Sequence, residues 1–337
     1  MRLRPAVATV CLGRSSAGHT LFQKLQQAAR YSFQGVEIFD ECLKYHAEAL
    51  PGGLTESNLL TAAKQTRVEC DRLGLEVVCL QPFMYAEGLT SADERKKVIQ
   101  KLRLWFKIAK TLGTDMIQIP TNFQPHGTTG DLERVTADLA EFTRLAAKES
   151  PVIRIAYEGV SWGKHIDTWE GAWEVVKRVD MPNLGLCLDT FHIAGRVWAD
   201  PSSPTGRNPR GDKALAATLT RMARELDVDK IFYIQAGDAE KLDSPLRPGE
   251  NPLYVPGQPE RMTWSRNARL FPFETDQGAY LPVTIILDVI INILGYRGWV
   301  SLESFHAELF VEDELLPEQY AKRGQRAWNI LQQLYNN

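Results

Sequence analysis

Eight short apolar runs, spaced by longer helical stretches, constrain the fold of this chain more than any other feature. The runs are AVATVCL at 6–12, GVEIFD at 35–40, EVVCLQPF at 76–83, MIQIP at 116–120, RIAYE at 154–158, GLCLD at 185–189, IFYIQ at 231–235 and WVSLE at 299–303. They are short and bounded by Gly, Pro or polar residues, as strands buried on both faces of a parallel sheet are. Helical patterns fill the gaps at 22–32, 58–74, 91–113, 131–149, 169–179, 212–227, 280–295 and 317–336. Gly74 reads as a helix stop, and Ser91 with Glu94 as a capping box. Eight strand–helix units in 337 residues predict an α/β fold, a (β/α)8 TIM barrel formed as one catalytic domain over 1–337. A doubly wound open sheet is the rival. No G-x-G-x-x-G follows the first strand and no phosphate-binding loop motif occurs, so nucleotide binding has no support. The Pro/Gly-rich stretch 241–261 reads as a long loop, because strand and helix signals resume after it.

Composition narrows the class further. The net charge is −3 with no basic block, which argues against nucleic acid and anionic membranes as partners. The longest apolar stretch, 281–294, is broken by Thr284, Asp288 and Asn292 and is too short to span a bilayer. The five cysteines form no C-x-x-C pair and read as reduced thiols. With no secretory pattern at the N-terminus, a cytoplasmic location is expected. A homo-oligomer is compatible with the sequence, which does not set the number of subunits.

Aligned by their ends, the last four strands each place an oxygen-bearing side chain at the fifth position: Glu158, Asp189, Gln235 and Glu303. The carboxyl ends of barrel strands open onto the active-site mouth, where these groups would converge. Three carboxylates packed together repel, and a divalent metal ion is the simplest compensation. An all-oxygen set without Cys suits Mg²⁺, Mn²⁺ or Co²⁺. His192 lies three residues past Asp189, and an imidazole of ordinary pKa about 6.5 can accept a proton at neutral pH.

Glu37 and Gln81 fall late in their strands and are candidates to line the mouth. In RMTWSRNARLFPFE, read as a loop over 261–274, Ser265 and Arg269 are candidates to clamp a substrate carboxylate. Trp162, Trp169 and Trp173 read as packing residues.

Taken in order, LGRSSAGHT, GVEIFDE, VVCLQPF, IQIPTNF, YEGVSWG, DTWEGAWEVV, CLDTFHIAGRVWADP, FYIQAGDAEKL, RMTWSRNARLFPFE and GWVSLESF resemble the fungal type of 3-dehydroshikimate dehydratase, in the xylose-isomerase-like barrel superfamily. The resemblance spans nearly the whole chain. It implies elimination of water from 3-dehydroshikimate to give protocatechuate, in quinate catabolism, with a divalent metal. It also implies metal ligands at Glu158, Asp189, Gln235 and Glu303, a base at His192, and a substrate-carboxylate region at Ser265 and Arg269. The alternative is another metal-dependent sugar or keto-acid isomerase or dehydratase of the same superfamily, since enolisation on a metal serves all of these.

Overall fold

The computed structural model describes residues 2–335; Met1, Asn336 and Asn337 lie outside the described residues, including the last position of the expected C-terminal helix. Eight parallel strands close into a barrel. They are β1 (Arg4–Ala8), β2 (Gly35–Phe39), β3 (Glu76–Gln81), β4 (Met116–Pro120), β5 (Arg154–Glu158), β6 (Leu184–Asp189), β7 (Ile231–Ala236) and β8 (Trp299–Leu302). Each pairs with its neighbours in sequence, and β1 closes on β8 through Arg4 opposite Trp299. None of the eight barrel strands has an open edge, so the backbone polar groups of the barrel sheet are satisfied without a partner chain.

Around the barrel run α1 (Leu21–Arg30), α2 (Asp40–Glu48), α3 (Glu56–Leu73), α4 (Ala92–Leu112), α5 (Leu132–Ala146), α6 (Trp169–Val179), α7 (Thr190–Val197), α8 (Gly211–Glu225), α9 (Glu260–Ala268), α10 (Val283–Leu287, continued by one π-helical segment to Ile293) and α11 (Leu316–Tyr335). Local chemistry sets their ends. Thr20 and Gln23 make a reciprocal capping box on α1, and Gly74 ends α3 in the left-handed conformation. Ser91 caps α4 by accepting the Glu94 N–H at 3.3 Å, which is half of the expected box.

Two apolar layers hold the barrel. The outer one packs the helices on the sheet, with Leu25, Phe106, Leu139, Val176 and Ile290 fully or almost fully buried. The inner one fills the barrel floor with Ala6, Val78, Cys79, Met116, Ala156, Cys187 and Tyr233. Above that floor the interior turns polar, and there the site begins.

The structure changes some expected boundaries. The first strand is Arg4–Ala8, and Thr9–Leu12 turns into a 3-10 helix. The Thr9 hydroxyl accepts the Phe39 N–H at 3.0 Å, which ends the ladder between β1 and β2. The Arg-rich segment after β7 is mostly α9, and only Arg269–Leu270 is extended, paired with Asp238–Ala239.

Candidate active site

The four strand-end residues point inward, but they do not form a flat ring. Glu158 pairs across the sheet with Cys187, two residues before Asp189. Asp189 pairs with Gln235, and Gln235 with Ser301, two residues before Glu303. Residues two apart on a strand share a face, so the stagger keeps all four side chains inside the barrel while spreading them in height. All are at most 4% exposed.

Asp189 ends β6 and starts α7 at once. Its Oδ1 accepts the Phe191 N–H at 2.7 Å as helix cap, which leaves Oδ2 for the site. That cap carries His192 into the first turn of α7 and over the mouth. The His192 Nε2 lies 3.7 Å from Glu158 Oε1 and 3.7 Å from Asp189 Oδ2. Ligand atoms of Glu158, Asp189 and His192 all lie within 4.8 Å of one another. On its other side, His192 Nδ1 meets the Ser161 N–H at 3.1 Å and the Ser161 hydroxyl at 3.3 Å. The Trp162 ring stands edge-on to the imidazole, with centroids 4.8 Å apart.

Arg269 ties the two halves of the cluster. Its guanidinium donates to Asp189 Oδ2 at 2.7 Å and reaches Glu303 Oε2 at 3.0 Å. It can lie there because residue 237 is Gly: a Cβ at that position would come within 2.7 Å of the guanidinium. Gln81 and Gln235 donate to Glu303 Oε1 at 3.1 and 3.0 Å. Gln118 donates to Glu158 Oε2.

Glu37 sits below this layer. It accepts from Tyr233 Oη at 2.8 Å, from Gln81 at 3.1 Å and from Gln235 at 3.1 and 3.2 Å. The expectation that Glu37 lines the mouth is therefore corrected: it is the third residue of β2, wholly buried, and outside the cavity lining. Gln81 does line the cavity. Gln235 turns its nitrogen toward Glu37 and Glu303 and its oxygen toward Cys187 Sγ, 3.3 Å away. This network of acceptors alone decides which end of the amide is nitrogen.

The electrostatics are those of crowded acids. Burial pushes the Glu158 carboxyl well above its ordinary range, and Asp189 and Glu303 push it further. Burial likewise raises Glu303 to about 8, against the opposing pull of Arg269. Burial disfavours charge on Arg269, yet Asp189 and Glu303 outweigh it and hold the guanidinium protonated. Burial lowers His192 to about 3 despite Asp189, so the imidazole is neutral at physiological pH. Four buried carboxyl groups (Glu37, Glu158, Asp189, Glu303) thus crowd the barrel interior, and the Arg269 guanidinium pairs with two of them, a donor-rich set that fits a divalent cation.

A cavity of about 800 Å³ opens above the cluster. Glu158, His192, Arg269 and Glu303 lie at its base, and Ser265, Arg266, Arg14 and Phe305 in its walls. Ser265 and Arg269 both reach the cavity, but Arg269 already holds two carboxylates. The Arg266 guanidinium makes only a long contact, 3.4 Å, to Gln258. Of the three tryptophans, Trp169 and Trp173 are buried packing residues, and Trp162 lines the cavity. Gln118 and Ser161 were missed in the sequence. Gln118 left one signal, a polar residue in the middle of an apolar strand; Ser161 is one serine among many and left none.

A closed barrel with an acidic, histidine-topped cluster at the carboxyl ends of its strands defines the class, and the chain belongs to the xylose isomerase-like TIM barrel family, whose model matches residues 25–330. Within it, the chain belongs with the 3-dehydroshikimate dehydratases. It is 44% identical to 3-dehydroshikimate dehydratase of Neurospora crassa over 97% of this chain and 93% of that protein. It is 30% identical to the Pseudomonas aeruginosa protein of the same name over 90% of this chain and 38% of that longer protein. Among solved structures, a xylose isomerase-like TIM barrel/4-hydroxyphenylpyruvate dioxygenase fusion protein superposes with a TM-score of 0.72 at 28% identity, over 99% of this chain and 43% of that one. The IOLI protein with a bound zinc atom shares the fold, with a TM-score of 0.68 at 16% identity and full coverage of both chains.

Proposed function

We propose that this protein is a metal-dependent 3-dehydroshikimate dehydratase, which eliminates water from its substrate to give protocatechuate. The observation that carries the reading is the cluster of buried carboxyl groups facing a neutral imidazole at the base of the cavity. The relatives that match nearly the whole chain bear that activity in their names.

Glu158, Asp189 and Glu303 would hold the divalent ion; Gln235 would join them as a neutral fourth donor with its amide turned over, since its oxygen faces Cys187 Sγ and its nitrogen Glu303. When bound, the ion supplies Lewis-acid polarisation of the substrate ketone and so acidifies the neighbouring C–H. The remaining work falls to the chain. His192 takes the proton through Nε2, which requires its own proton to sit on Nδ1 and point at the Ser161 hydroxyl. The β-hydroxyl leaves as water, the protonated imidazole is placed to assist it, and tautomerisation completes the aromatic ring. Arg269 offsets the acidic charge between Asp189 and Glu303. Ser265 and Arg266, in the cavity wall, would bind the substrate carboxylate, with Arg269 below them. The five free, buried thiols accord with a cytoplasmic enzyme.

The test is incubation with 3-dehydroshikimate while following the ultraviolet absorbance of protocatechuate, before chelation, after it, and after add-back of Mg²⁺, Mn²⁺ or Co²⁺. Activity lost on chelation and restored by an ion is the expected result. A metal-loaded protein inert on this acid but active on a neutral sugar would replace the assignment with the isomerase reading.

A further inference from the structure

Away from the acidic cluster, the chain buries a lysine beside a cysteine. Lys24 on α1 and Cys42 on α2 are both 0% exposed, and Lys24 Nζ lies 3.2 Å from Cys42 Sγ. The other contact of the amine is the Ser15 hydroxyl at 3.1 Å. Among the described residues it forms no ion pair with a carboxylate, although a buried lysine ordinarily requires one. Cys42 is in the first turn of α2, a helix with no side-chain N-cap. The neighbouring acids are engaged elsewhere, Asp40 with Lys44 and Glu41 with Arg14. Lysine and cysteine are thus left as each other's partners.

We propose that Lys24 and Cys42 form a peroxide-sensitive covalent switch, a reversible sulfenamide joining α1 to α2. The Cys42 thiol passes its proton to the Lys24 amine as its sulfur attacks one oxygen of hydrogen peroxide and the O–O bond breaks. The departing hydroxide takes a proton from the Lys24 ammonium and leaves as water. The product is a Cys42 sulfenic acid facing a neutral amine. The Lys24 nitrogen then attacks the sulfur, the S–O bond breaks, and the hydroxide leaves with a proton of the amine as a second water. Sulfur loses two electrons and peroxide gains them. Ser15, the other contact of the amine, is half-buried, so the pair lies one residue beneath the surface. The bond would tie α1 to α2, where Glu41, beside Cys42, lines the mouth.

Three of the other four cysteines provide internal controls. Cys11 accepts the Ser304 N–H at 3.1 Å, Cys79 faces Glu37 and Tyr233, and Cys187 faces Gln235. None of these contacts offers an amine.

The experiment treats the native metal-loaded protein with hydrogen peroxide, blocks the remaining thiols in acid denaturant and maps the digest by mass spectrometry. The expected product is the Lys24 peptide joined to the Cys42 peptide with the loss of two hydrogens. The count of free thiols should fall by one and be restored by dithiothreitol. Lys24→Met should abolish the joined peptide. Recovery of wild-type Cys42 as free thiol, or as sulfinic acid with no link to Lys24, would overturn the proposal. The wild-type map alone decides, so the result stands even if the variant does not fold.

Discussion

At Nδ1 of His192 two hydrogen bonds compete. If Nδ1 accepts the Ser161 N–H, the ring proton lies on Nε2 and the imidazole can only donate toward Glu158 and Asp189. If Nδ1 donates to the Ser161 hydroxyl, Nε2 is free to take a proton. Removing the hydroxyl leaves only the first arrangement. Ser161→Ala is therefore expected to lower kcat about 10-fold, a fraction of the ~10²–10⁴ that a general base contributes, while KM changes little. Ser161→Thr should recover most of the rate. A fall in KM-limited steps alone would show that Ser161 merely shapes the cavity. The companion variant, His192→Ala, is expected to lose ~10²–10⁴-fold in kcat and still bind the metal, as read by calorimetry. Unchanged turnover would remove His192 from the mechanism. At this scale the carboxylates were legible in the sequence, because a charge that ends an apolar strand needs a reason. Glu37 and Arg269 were harder to place. Their roles depend on groups across the barrel, Tyr233 for one and Asp189 for the other, which lie 196 and 80 residues away along the chain.

Among the elements, the loop between β3 and α4 is pinned from below by Glu87. Its Oε1 accepts the Asn122 N–H at 2.6 Å and the Tyr157 hydroxyl at 3.1 Å, while Oε2 is buried without a hydrogen-bond partner among the described residues. Burial raises this carboxyl to about 7, against those hydrogen bonds. The native state therefore holds its proton more tightly than the unfolded chain does. Its stabilising contribution is full below the unfolded value of about 4.3 and is lost as pH climbs through about 7, a change of order 3 kcal/mol. Glu87→Gln keeps the shape and cannot ionise. The variant is expected to match the wild type near pH 5 and to exceed its Tm at pH 8. Parallel melting curves for the two proteins across that range would refute the assignment. Element identity followed the hydrophobic period well where helices lie on the outside of the barrel. It failed for α2, α7 and α9, which sit over the mouth. These helices answer to the cavity as well as to the core, so their apolar residues do not keep one clean stripe; α7, for example, buries six consecutive residues from Thr190 to Gly195.

For the molecule as a whole, the acidic cluster is a cost set against the barrel. A closed sheet, an apolar floor and a ring of helices hold four carboxyl groups together with one guanidinium between two of them, an arrangement that mutual repulsion and burial both oppose. The eightfold rhythm that was legible in the sequence is what supplies that rigidity; the stagger that spreads the four donors in height was not legible, because it depends on barrel tilt. A cation that binds only the folded barrel removes part of the repulsion and must therefore stabilise it. At a free concentration about 100 times its Kd the gain is ~2.7 kcal/mol, which for a chain of this size shifts Tm by roughly 4 °C. Chelated protein is thus expected to melt several degrees lower than protein given Mg²⁺, Mn²⁺ or Co²⁺, with the best-fitting ion giving the largest shift. Glu158→Gln removes a donor and also relieves repulsion, so the metal-free variant should melt at or above the metal-free wild type and gain little from any ion. A wild-type Tm indifferent to all three ions, or an equal gain in the variant, would mean that the carboxylates are held apart by Arg269 and the glutamine network alone.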